Sequence, residues 1–119
     1  MADENWIVVF HPDFAPEFRV LDDSVKVALG ALFDKLRDRG PALARPFADT
    51  LNGSRHANMK ELRFGLDDDW YRFAYAFDPK QKAVVLCGGG KGGVSQARFH
   101  DALIAKADRR YEHWIEGDR

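Results

Sequence analysis

MKELRFGLDDDWYRFAYAFDPKQKAVVLCGGGKGGVSQARFH, residues 59–100, carries the pattern that decides the fold. Trp70 to Phe77 alternates with a period of two. Trp70, Arg72, Ala74 and Ala76 fall on one side, and Tyr71, Phe73, Tyr75 and Phe77 on the other. Aromatic residues suit a pleated, half-buried surface, so this run reads as a strand. Met59 to Phe64 alternates only moderately and reads as a further strand. Ala83 to Cys87 is a continuous apolar run, as expected of a strand covered on both faces. The connections GLDDD and DPKQK are of hairpin length, and Asp78-Pro79 is a turn signal. Together these signals imply three strands in an antiparallel row. They carry cations at Lys60, Arg63 and Arg72, and a glycine-rich loop beyond them carries Lys91.

Outward from this block, Trp6 to Phe10 (WIVVF) is a short run bounded by His11-Pro12 and reads as a buried first strand. Asp13 to Val20 has room for a turn of helix, limited by Pro16. Asp22 to Arg39 is a helix: Val25, Leu29, Leu32, Phe33 and Leu36 share one face, and Gly40-Pro41 ends it. Leu43, Phe47 and Leu51 suggest a second, shorter helix, giving a helical hairpin. Residues 52–58 (NGSRHAN) read as a loop. Ser95 to Ile115 is the last helix, with Phe99, Leu103, Ala107, Tyr111 and Trp114 as its apolar stripe. The order β, α, α, β, β, β, α implies an α+β fold. A small, mostly antiparallel sheet of about four strands carries an N-terminal helical hairpin and a C-terminal helix, with the helices on one face.

The chain has 119 residues and is read as a single domain, 1–119. Its formal net charge of −1 excludes nucleic-acid binding by bulk charge alone, so any such contact needs a local patch. The lone Cys87 has no internal disulfide partner, which fits a reducing compartment. No run of about 18 apolar residues is present, so no membrane contact is expected. The first residues are acidic and lack the basic start of a secretory leader, and a cytoplasmic location is expected. GGGKGG fails the Walker pattern, because Lys91 is followed by Gly92 and not by Ser or Thr. It reads as a flexible strand-to-helix turn with glycines at positive φ. His and Cys show no ligand spacing, so neither metal nor cofactor is expected.

Several segments together resemble the RelE/ParE superfamily of bacterial type II toxins, and within it the HigB-like, phage-associated branch. They are Glu61-Leu62-Arg63, Tyr71-Arg72-Phe73, Ala83-Val84-Val85-Leu86, the Lys91 loop, and Ala107-Asp108-Arg109-Arg110-Tyr111. The resemblance implies a small toxin neutralised by a cognate antitoxin, often a helix-turn-helix protein. Many members cut mRNA on the ribosome without a metal. The ParE branch inhibits DNA gyrase instead, and a member that only binds a partner is a third possibility. The resemblance also implies that Arg72 holds the scissile phosphate, that Lys91 matches a basic loop residue, and that Phe99-His100 lies near the cleavage point. Glu61, between Lys60 and Arg63, departs from the basic strand usual in RelE.

RNA cleavage of this kind needs a base for the 2′-hydroxyl, cations for the transition state and an acid for the leaving 5′-oxygen. The expected catalytic set is Arg72, Lys91 and His100. The expected RNA or phosphate contacts are Lys60, Arg63, Trp70, His56 and Arg98, with Trp70 stacking on a base because it shares a face with Arg72. Arg72 has a plainer reading too, as a partner of Asp67, Asp68 or Asp69 across the hairpin.

Overall fold

The computed structural model describes residues 5–117. The acidic first four residues, on which the expectation about a leader partly rests, lie outside them. The elements are β1 (Ile7–Phe10), α1 (Phe14–Arg19), α2 (Asp23–Arg39), β2 (Ala48–Thr50), β3 (Lys60–Leu66), β4 (Asp69–Phe77), β5 (Lys82–Gly90) and α3 (Gln96–Gly117), with a 3-10 turn at Gly40–Ala42 after α2. The sheet order is β1-β5-β4-β3-β2. Only β1 runs parallel to its neighbour, β5; the other pairings are antiparallel.

The α+β fold is as expected, but the sheet has five strands, and three details differ. Residues 43–51 form no helix. Pro46 removes a backbone donor from that region, and Ala48–Thr50 instead pair with β3 as an edge strand. An N-terminal pair of helices is present, but it consists of α1 and α2. The helices also do not share a face. The aromatic side of β4, with Phe73 and Tyr75, packs with Leu62 and Val85 against Phe14 of α1 and Leu29, Phe33 and Leu36 of α2. The small side, Ala74 and Ala76, lies with Val84 and Leu86 against Leu103, Ala107 and Tyr111 of α3. Alanines leave room for a helix to approach closely where aromatics would hold it off. Truncating a fully buried Leu29 or Leu86 to alanine would cost about 2–5 kcal/mol.

Two local features position the polar end of the sheet. Asp67 and Asp68 both have positive φ (51° and 62°), the signature of a tight two-residue hairpin turn that fixes the β3–β4 register. In the loop after β2, Ser54 Oγ and the Arg55 N–H both donate to the buried carboxylate of Asp108 on α3. That carboxylate fastens the loop to the helix.

Candidate functional site at the open end of the hairpin

The register sets Arg63 opposite Arg72, and Gly65 opposite Trp70. Directly opposed residues share a face, so both guanidinium groups project on the α3 side of the sheet. Like charges so placed disfavour a strand pair by roughly 0.2–1 kcal/mol. The sequence accepts that cost and separates the two cations with carboxylates. Glu61, two residues before Arg63 and on the same face, takes the Arg72 Nε–H in a buried ion pair; side-chain exposure is 9% for Arg72 and 7% for Glu61. Asp49 on β2 lies 3.5 Å from Arg63 Nη1 and also binds Arg45 at 2.7 Å. The Arg45 hydrogen bond, helped by the Thr50 N–H, holds the Asp49 carboxyl below the usual carboxylate range, so it stays ionised.

The remaining wall is the first turn of α3, where Gln96 and His100 lie one helical turn apart and face the hairpin. Arg72 Nη2 donates to His100 Nδ1 at 2.7 Å, and His100 Nε2 lies 2.7 Å from the Asn52 carbonyl. A guanidinium can only donate and a carbonyl can only accept. The imidazole therefore accepts at Nδ1 and carries its hydrogen on Nε2. Asn52 belongs to the loop that Asp108 fastens. Arg72 also sits over the Phe99 ring, 5.6 Å from its centroid. Trp70, 37% exposed, lies 5.5 Å from the Arg63 guanidinium, and because Gly65 has no Cβ the indole can lie across β3.

The result is one polar pocket walled by Arg45, Asp49, Glu61, Arg63, Trp70, Arg72, Gln96 and His100, with Thr50 and Asn52. Three guanidinium groups against two carboxylates leave an excess of one positive charge, and the positive end of the α3 dipole adds to it. Two donors await a partner. Arg63 Nε is buried with no acceptor, and among the described residues Arg72 Nη1 makes no hydrogen bond. An unsatisfied buried donor is costly, and the unbonded Arg72 Nη1 is available to an anion entering the pocket.

The structure therefore brings together Arg63, Trp70, Arg72 and His100 from the expected set. It separates the other four. Lys60 is on the opposite face of β3, one residue out of step with Glu61 and Arg63, and its ammonium reaches the Pro41 carbonyl at 3.4 Å. Lys91 lies off the pocket, with its ammonium turned back to the Val94 and Gly92 carbonyls at 2.8 and 3.4 Å. His56 binds Glu112 at 2.8 Å, far along α3 from His100, beside the Arg55–Glu112 pair. Arg98 is exposed and two positions from both Gln96 and His100, about 200° round the helix. The glycine run also differs from expectation. Gly88 to Gly90 belong to β5, a Cβ at Gly88 would collide with Phe73 and the Arg72 backbone, and of this run only Gly92 has positive φ.

Sequence reasoning does not find Arg45 and Asp49, because a helix is expected there, and it does not pair Glu61 with Arg72. The signal for Glu61 was available: it shares the period-two face with Arg63.

Comparison with known proteins bears on the fold and the family. The fold is that of RelE-type toxins: a doubly substituted mutant of E. coli RelE in the free state superposes with a TM-score of 0.62 at 16% identity, covering 89% of this chain and 97% of that one. Residues 16–112 match the family described as "Phage derived protein Gp49-like (DUF891)", and the chain belongs to it. Two Mycobacterium tuberculosis proteins are similar in sequence. One, named "Putative toxin HigB3", is 35% identical over 93% of this chain and 95% of its own length. The other, named "Putative toxin HigB2", is 40% identical over 78% of this chain, which spans about half of that relative (47%). The chain is thus a HigB-like toxin of the Gp49-like family, with the RelE fold. Among the described residues, no helix is long and apolar enough to cross a membrane.

Proposed function

We propose that this chain is the toxin of a type II toxin–antitoxin pair and that it cuts messenger RNA on the ribosome at the Arg72 pocket. The observation that carries this reading is the convergence, in one pocket, of a carboxylate, two guanidinium groups and an imidazole. Those are the parts that transphosphorylation requires.

A scissile phosphate enters beside Arg63 and Arg72 and takes the unbonded Arg72 Nη1 donor, with the Arg63 charge alongside. Glu61 accepts the proton of the 2′-hydroxyl. The 2′-oxygen forms its bond to phosphorus as the bond from phosphorus to the 5′-oxygen breaks. Drawing Arg72 toward the phosphate frees His100 Nδ1 to take up a proton from solvent, and the resulting imidazolium passes its Nε2 proton to the 5′-oxygen. The products are a 2′,3′-cyclic phosphate and a 5′-hydroxyl. Trp70 offers a face on which a neighbouring base stacks. A net charge of −1 gives little long-range attraction for free RNA, so the ribosome supplies the positioning.

Expression of the chain alone should arrest growth and leave new mRNA ends carrying cyclic phosphate. Arg72→Ala and His100→Gln should each relieve the arrest, with losses of cleavage of about 10²-fold or more. Full toxicity in a folded His100→Gln variant would reject the site. Arrest accompanied by DNA damage and intact mRNA would point to gyrase instead. A neutralising antitoxin is expected as partner, and co-expression of the adjacent reading frame checks it.

A further inference from the structure

The two carboxylates of the pocket are held differently. In the β2–β3 register Asp49 stands directly opposite Glu61, so like charges face each other there just as Arg63 and Arg72 do one step along the sheet. Each carboxylate is taken by an arginine on a diagonal, Glu61 by Arg72 and Asp49 by Arg63. Glu61 sits on an inner strand and its side chain is 7% exposed. Asp49 sits on a three-residue edge strand and its side chain is 29% exposed. Of the two, Asp49 is the one with room to move.

A single oxygen of Asp49 meets two guanidinium groups. Oδ2 accepts from Arg45 Nε at 2.8 Å and lies 2.7 Å from Arg45 Nη2, and Arg63 Nη1 is 3.5 Å from the same oxygen. Oδ1 accepts the Thr50 N–H. Paired guanidinium groups hold a phosphate oxygen in the same way. Nothing else competes for Arg63. Among the described residues its guanidinium makes no hydrogen bond, its Nε is buried without an acceptor, and it meets the Asp49 charge and the Trp70 ring. A cation does not compete for the carboxylate either, because three guanidinium groups share its pocket.

We propose that Asp49 is an internal stand-in for substrate: in the free chain its carboxylate fills an anion seat between Arg45 and Arg63, and a phosphodiester displaces it to enter. A full negative charge at the seat opposes the attraction of the arginines, so the pocket refuses anions met at low concentration. A strand held beside the pocket by a larger assembly presents its phosphate at high effective concentration and displaces the carboxylate; RNA met by diffusion does not. Asp49 is therefore a specificity-determining residue. It sets which RNA is accepted and takes no part in the bond changes. Its effect on cleavage rests on the nuclease reading; the anion seat and its occupant do not.

The test is an NMR titration of the isotopically labelled chain at fixed ionic strength, read at the arginine Nε–H signals. The probes are inorganic phosphate and a short oligodeoxynucleotide, which lacks the 2′-hydroxyl and so cannot be cut by this chemistry. Asp49→Asn should tighten both about tenfold, since it removes one charge beside the seat. Asp49→Glu keeps the charge and should bind as the parent chain does. Asp38→Asn removes an exposed charge from α2, across the sheet from the pocket, and should change affinity less than about twofold. Adding Arg45→Met to Asp49→Asn should abolish most of the gain, because Arg45 is one wall of the seat. On messenger RNA without ribosomes, Asp49→Asn should cut where the parent chain does not. No tightening in Asp49→Asn overturns the proposal, as does equal tightening in Asp38→Asn or Asp49→Glu, or a full gain in the double variant. Tighter phosphate with cleavage that still needs the ribosome overturns the specificity role. The two readings fail separately: tight phosphate binding by an Asp49→Asn chain that leaves mRNA whole even on ribosomes removes the nuclease and keeps the seat, and ribosomal cleavage with phosphate affinity unmoved by Asp49→Asn does the reverse.

Discussion

Two arginines in this molecule are buried against a glutamate, and they spend their donors differently. Arg110 on α3 donates from both terminal nitrogens to Glu17 of α1, at 2.9 and 2.6 Å, and its Nη1 also holds the Leu86 carbonyl. It ties α3, α1 and the end of β5 together, and its hydrogen bond to Glu17 keeps that carboxyl below its ordinary range. Arg72 donates Nε to Glu61 and Nη2 to His100, and keeps Nη1 without a bond, among the described residues, at the wall of a polar pocket. The two side chains are equally hidden, 10% and 9% exposed. Burial therefore does not separate a cation tied at both terminal nitrogens from one proposed to bind an anion. The donors left over do, together with what they face.

That contrast can be broken experimentally, beginning where the effect is largest. Arg72→Ala leaves Glu61 buried and uncompensated, so it should cost about 3–5 kcal/mol of stability along with activity. Pairing Arg72→Met with Glu61→Leu should restore most of the stability, read from urea midpoints, and leave cleavage lost. If stability stays low, the Glu61 charge is not the cause. Arg110→Met should lose about 2 kcal/mol, because Glu17 is 43% exposed and can be hydrated, while the folded fraction keeps its activity. A fall in activity per folded molecule would make Arg110 more than a tie.

A smaller effect concerns pH. His11 is fully buried beside His113, Asp13, Glu17 and Arg110. Its Nδ1 accepts the Asp13 N–H, and burial pushes its pKa down despite the opposing pull of Asp13. The unfolded chain then takes up a proton near pH 6.5 that the folded chain refuses, so stability falls as pH drops below that value. Tm should decrease from about pH 7.5 to about pH 5.5, and His11→Gln should flatten that slope. A slope unchanged by the substitution would assign the effect elsewhere. Smallest of all, Lys91→Ala should change cleavage less than about twofold, since its ammonium is spent on its own loop. A large loss would mean that the loop turns over to reach the substrate.

How far the sequence was legible depended on the range of the forces involved. The period-two alternation in β4 placed Arg72 and Trp70 on one face and the aromatic core on the other, and the same rule, applied strictly to β3, would have separated Lys60 from Arg63. Residues 43–51 misled because their apolar spacing suits a short helix, and only the exposed edge of β3 makes them a strand. Lys91 misled because a cation on a glycine loop says nothing of which carbonyls will hold it.

Sequence alone determined the strands of the central hairpins, the two long amphipathic helices, the tight turn after Leu66 and the family, since each is written in neighbouring residues whose backbone preferences and burial act locally. Tertiary structure decided the rest: that Glu61 is Arg72's partner, that Arg45 and Asp49 close the pocket, that His100 accepts at Nδ1, and that β5 outruns β1. Those facts join groups distant along the chain, and charge and hydrogen bonding choose partners only after packing has brought the candidates within reach.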